Sequence, residues 1–138
     1  MLQRKQTIWL LLATVCTVLS FKFPFYSVAE KASGVYKSIA AADALYTIVS
    51  GILTAALCVI TIFLYNRVKL QLRVALLTAI AALLHLVLLY VSATGAGNGS
   101  PSLTALFPAA AVLLIILSVV GIRKDKRTLE EMNSSRLR

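Results

Sequence analysis

His85 is the residue best placed to do chemistry, because it is ionisable and sits inside an apolar run, Val74–Ser92. Ionisable side chains at membrane depth are functional candidates by default. An imidazole there could relay a proton, contact a quinone or ligate a haem iron. It could also serve packing alone, donating its proton to a threonine hydroxyl or a backbone carbonyl. The chain has a single histidine, so a haem with two axial histidines would need a second copy. The two cysteines, Cys16 and Cys58, form no Cys-x-x-Cys pair, which leaves disulfide exchange without support and makes small apolar filler their expected role. Asp43 stands two positions before an apolar run, where a carboxylate stabilises a helix start. A proton-coupled four-span exporter would carry an acid in its first span, and Ile8–Phe21 has none. Neither a Ser/His/Asp set, a metal-ligand cluster nor a glycine-rich phosphate loop is evident. The expectation is a protein that is not an enzyme and holds no cofactor or metal.

The neighbours of His85 follow a spacing. Thr47, Gly51, Thr54, Cys58 and Thr61 recur at intervals of 4, 3, 4 and 3, and Ala75, Thr78, Ala82 and His85 at intervals of 3, 4 and 3. Ser92 extends the second row; Ala13, Thr17 and Ser20 form a third, and Thr104, Pro108, Ala111 and Ser118 a fourth. Such spacing keeps small, weakly polar residues on one face of a helix. Helices in lipid associate through close packing at small residues. The rows therefore predict the inward seams of an antiparallel bundle, with His85 as a candidate intramembrane polar site. Threonine and serine can also bond their own helix backbone, so the rows alone do not separate a packed seam from a ligand cavity.

The elements that carry these rows are four apolar runs. The chain is 59% hydrophobic and only 14% charged, against roughly 45–50% and 25% in soluble domains. The charge is confined between Ile8–Phe21, Leu45–Tyr65, Val74–Ser92 and Leu103–Ile122. The last three approach the roughly 20 residues that cross a bilayer. The first is short and reaches spanning length if Phe23, Pro24, Phe25 and Tyr26 sit at the interface while Lys22 snorkels outward. A cleaved signal ending at Ser27-Val28-Ala29 is the competing reading, disfavoured by Lys22 and four aromatics between the apolar run and the cut. The expected fold is all-α: one membrane domain over 1–138, an up-down four-helix bundle with spans at 7–25, 45–65, 74–92 and 103–122. Outer loops occupy 26–44 and 93–102, and a tail 123–138.

Basic residues set the orientation. Arg4, Lys5, Arg67, Lys69, Arg73, Arg123, Lys124, Lys126, Arg127, Arg136 and Arg138 fall on one side; Lys22, Lys31 and Lys37 fall on the other. Eleven against three places both termini in the cytoplasm and explains the net charge of +9 without nucleic acid. The aromatics of the first outer loop predict that it lies against the bilayer surface. Ala93–Ser102 reads as a flexible linker, and its Asn98-Gly99-Ser100 sequon, followed by Pro101, as coincidence. In the tail, Thr128 and Glu131 predict a capping box opening a short helix.

The two ends carry a resemblance. Met1-Leu2-Gln3-Arg4-Lys5-Gln6-Thr7 followed by an aromatic-containing apolar run, Pro24-Phe25, and a basic tail with Arg123-Lys124 and Ser135-Arg136-Leu137-Arg138 is similar to an uncharacterised family, domain of unknown function 4293, mostly from Bacteroidota. Glu130, Glu131 and Asn133 make this tail more acidic than the family pattern. The resemblance implies a four-span protein of the bacterial inner membrane and brings no activity with it. The function expected is therefore that of an accessory or assembly subunit packed against a larger membrane complex or a second copy. The alternative is a small-ligand carrier using His85. Gln3, Arg4, Gln6, Lys124, Arg127, Arg136 and Arg138 are the expected cytoplasmic docking surface, or contacts to anionic headgroups.

Overall fold

The computed structural model describes residues 5–29, 36–95, 97 and 99–136. Gln3, Arg4 and Arg138 of the expected docking surface lie outside them, as does the Arg136 side chain. Four helices dominate: α1 (Lys5–Lys22), α2 (Leu45–Phe63), α3 (Val68–Gly95) and α4 (Leu106–Arg136). Each packs on its neighbours in a ring, α1 on α2 and α4, and α3 on α2 and α4.

The bundle is polar inside and apolar outside. Buried positions include Gln6, Thr17, Thr47, Thr54, Thr61, Gln71, Thr78, His85 and Ser118, while Leu, Ile and Val side chains of all four helices stand exposed. A protein folded in water would reverse that arrangement. In hydrocarbon, exposed aliphatics lose nothing, and polar groups must find partners within the protein. Three stretches, Leu45–Asn66, Val68–Gly95 and Leu103–Ser135, are long and apolar enough to cross a membrane. α1 is shorter in apolar length than these. It ends at Lys22 rather than reaching residue 25, because Phe23 precedes Pro24, and a residue before proline is driven out of the helical region.

The all-α expectation needs one correction. The α1–α2 and α3–α4 connections form a three-stranded antiparallel sheet in the order β2-β1-β3, built from β1 (Pro24–Ala29), β2 (Tyr36–Ala40) and β3 (Gly99–Pro101). Pro24 lies at a register irregularity, where its missing N–H is tolerated. Gly99 is required at its place, since a Cβ there would sit 2.2 Å from the Ser27 carbonyl oxygen. The Tyr26 hydroxyl donates to the Gly99 carbonyl at 2.9 Å, Ser102 N–H donates to the Phe25 carbonyl at 3.0 Å, and the Thr104 hydroxyl donates to the Pro24 carbonyl. Residues 93–102 are thus not a plain flexible linker: α3 runs through Gly95 and β3 follows. Nor does the whole aromatic set face the membrane surface. Phe25 is buried with Ile39, Ala41, Leu89 and Ala93 beneath the sheet, which caps this end of the bundle.

The tail is corrected as well. α4 continues unbroken to Arg136, and Thr128 caps nothing; its hydroxyl bonds back to the Lys124 carbonyl at 3.1 Å, as it does in mid-helix. No glycine or proline follows Gly121 to stop the helix. Asp43 accepts the Ala40 N–H at 2.6 Å and closes the 3-10 turn ahead of α2, whose own N-cap is Ala44.

Candidate functional site

The seam residues meet along the bundle interior. Thr47, Gly51, Thr54, Cys58 and Thr61 of α2 and Ala75, Thr78, Ala82 and His85 of α3 are all buried. Several threonines return their hydroxyls to their own helix, Thr54 to the Ser50 carbonyl and Thr78 to the Val74 carbonyl, each at 2.8 Å. This satisfies the hydroxyl and leaves a methyl for packing. Cys58 belongs to the apolar cluster of Leu10, Ala13, Ala82, Val112 and Ile115. Ser92 is only half-buried; Leu89 and Ala93 take the inward positions at that end.

Two polar nodes interrupt the seam. In the half nearer the sheet, His85 is 3% exposed, and its Nδ1 lies 2.8 Å from the Ser50 hydroxyl. Ser50 also reaches the Thr47 carbonyl at 3.1 Å. One hydroxyl hydrogen cannot serve both. If Ser50 donates to Thr47, the imidazole Nδ1–H donates to Ser50 and Nε2 is a bare acceptor. If Ser50 donates to Nδ1, Nε2 carries the proton. Either way, Nε2 has no partner among the described residues. Phe21 of α1 closes the node with its ring centroid 6.4 Å from the imidazole, and Gly51 provides the space for both rings.

The second node lies toward the α2–α3 turn. Gln71, fully buried, donates through Nε2 to the Thr61 carbonyl at 3.1 Å, and the Thr61 and Thr78 hydroxyls stand 3.3 Å apart. Thr61 is in the last turn of α2, where carbonyls run out of intrahelical donors, so Gln71 supplies what the helix end lacks. Among the described residues its own Oε1 has no partner, nor does the Ser118 hydroxyl.

Gln6 is not part of a docking surface. It is 3% exposed, and its Nε2 donates to Asp125 at 3.0 Å, tying the start of α1 to α4. Lys124 and Arg127 remain exposed on α4. The sequence reading missed Ser50, Gln71 and Phe21 as parts of the interior. Gln71 could have been found by carrying the α3 row one interval of four back from Ala75, and Gln6 by carrying the α1 row through Leu10 in the same way. Among the described residues, no three His, Cys, Asp or Glu side chains are grouped to hold a metal ion.

His85→Leu is expected to change stability by less than about 1 kcal/mol, since Ser50 can give its hydrogen wholly to Thr47 and Nε2 loses no partner. Unfolding in mixed detergent micelles, followed by helical circular dichroism, checks this. A loss above about 2 kcal/mol would assign the ring a larger structural share.

No curated protein and no solved structure matches the chain. Residues 2–134 match the family described as Domain of unknown function (DUF4293), and the chain belongs to that family.

Proposed function

We propose that this family member is a four-span protein of the bacterial inner membrane, with both termini in the cytoplasm, acting without catalysis as an accessory or assembly subunit of a larger membrane complex. The orientation rests on the eleven-to-three distribution of basic residues. The observation that carries the accessory role is the far end of α4. Past Ile122 the helix continues as an exposed arm, stiffened by Lys126–Glu130 and Arg127–Glu131 pairs at 3.7 and 3.3 Å. Leu129 and Met132 are exposed on it. Exposed ion pairs contribute only about 0.3–0.5 kcal/mol each, and helices draw most of their stability from packing. An arm of this kind is suited to packing on something beyond its own bundle.

Purification of the tagged protein in mild detergent is expected to recover a stoichiometric companion, either another membrane protein or a second copy. Arg127→Glu/Met132→Glu is expected to release it without altering helix content. A protein that always emerges alone would end this reading.

His85 supports a second reading, a bundle that binds or carries a small ligand, because its Nε2 is buried without a partner among the described residues. In that case His85→Leu abolishes ligand retention while expression and stability hold; unchanged retention would eliminate it.

A further inference from the structure

We propose that the hollow between the α2–α3 turn and α4 binds the phosphate headgroup of an anionic phospholipid. Arg67, Lys69 and Lys126 line this hollow of about 390 Å³, together with Val68, Leu129, Glu130 and Asn133. The three cations come from two separate elements. Glu130 is the one acid in the lining and pairs with Lys126 at 3.7 Å. The remaining excess of positive charge is complementary to a phosphodiester. Arg67 offers a planar fork that matches two phosphate oxygens. Val68 and Leu129 add apolar surface for the glycerol and the upper acyl carbons.

Depth selects a lipid over a soluble anion. The apolar run of α4 ends at Ile122, and Lys126 follows four residues later, about 6 Å along the helix. Lys69 precedes the apolar run from Val74 by five residues, about 7.5 Å. The polar layer on each side of the hydrocarbon is roughly 5–8 Å thick. Both cations therefore lie at the level of the phosphates. Exposed Phe63, the last residue of α2, and Tyr65, just after it, stand beside this turn, and aromatic side chains mark the interface.

This inference rests on the membrane reading of the bundle and is independent of the accessory role. Recovery of the full chain in alkali-washed membranes tests the membrane reading separately. For the site itself, short-chain phosphatidylglycerol is titrated onto the full chain in neutral detergent and counted by native mass spectrometry. Phosphatidylcholine and inorganic phosphate serve as comparison ligands. Phosphatidylglycerol is expected to bind in preference to both. Each cation removed from the hollow should weaken binding about fivefold, and Arg67→Gln/Lys69→Gln/Lys126→Gln roughly a hundredfold. Glu130→Gln should tighten it about fivefold, a gain that damage to the fold would not produce. Lys124→Gln/Arg127→Gln removes two charges outside the hollow and should leave binding within twofold. Equal losses in the two sets of variants would mean diffuse charge attraction and overturn the site. Equal binding of phosphatidylcholine, or competition by inorganic phosphate at the same concentration, would overturn the choice of ligand.

Discussion

Replacing Gly51 with leucine is expected to destabilise the folded protein by about 3 kcal/mol, the upper end of what overpacking a tight core costs. A Cβ at this position would sit 2.3 Å from Phe21 Cζ and 3.0 Å from His85 Cε1. Neither ring yields freely. Phe21 packs against the cluster beneath the sheet, and His85 is held by Ser50. Exchanging a mid-helix glycine for leucine returns somewhat under 1 kcal/mol of helix propensity, too little to offset the clash. Unfolding in mixed micelles measures the loss. Gly51→Ala should lose less, and combining it with Phe21→Leu should recover stability, with a coupling of at least about 1 kcal/mol in the double-mutant cycle. A Gly51→Leu protein as stable as the parent would mean that α1 does not pack over this node.

The bundle was legible in the sequence because one spacing rule governs it. Intervals of 4 and 3 mark the buried face of α2 from Thr47 to Thr61 and of α3 from Ala75 to His85. The same intervals describe Gln6, Leu10, Ala13, Thr17 and Ser20 on α1. Two of these rows continue past the apolar residues into a glutamine, Gln6 on α1 and Gln71 on α3. A reading keyed to hydrophobicity stops where the apolar run stops and assigns those glutamines to loops or surfaces. Periodicity alone would have carried them inward. The sheet was less accessible. β1 and β3 belong to connections separated by more than 70 residues, and their pairing depends on cross-links such as Tyr26 to Gly99 that leave no local pattern. Gly99 reads as linker composition until the Ser27 carbonyl is known to lie against it. The continuity of α4 was masked by Thr128, a residue type that caps helices in one setting and bonds back to its own helix in another.

α1 is the helix least able to hold its place by apolarity, so its polar tie should matter more than a single hydrogen bond does elsewhere. Its apolar run, Ile8–Phe21, extends about 21 Å along the helix axis, short of the roughly 30 Å hydrocarbon core. Gln6 fixes one end of α1 to Asp125 at 3.0 Å, and Phe21 fixes the other near His85. Gln6→Met keeps the length and flexibility of the side chain and removes its amide, the donor to Asp125 included. A hydrogen bond to a charged group contributes about 1.5–3 kcal/mol, so a loss of about 2 kcal/mol is expected. The loss should appear as separation of α1 from the other helices, and Cys58 reports it, being fully buried against Leu10 and Ala13 of α1. A shift of 2 kcal/mol raises the open population about thirtyfold. Maleimide labelling of Cys58 in the folded protein should accelerate by that factor in Gln6→Met. Equal labelling rates in Gln6→Met and the parent would show that the Gln6–Asp125 bond does not hold α1 in the bundle.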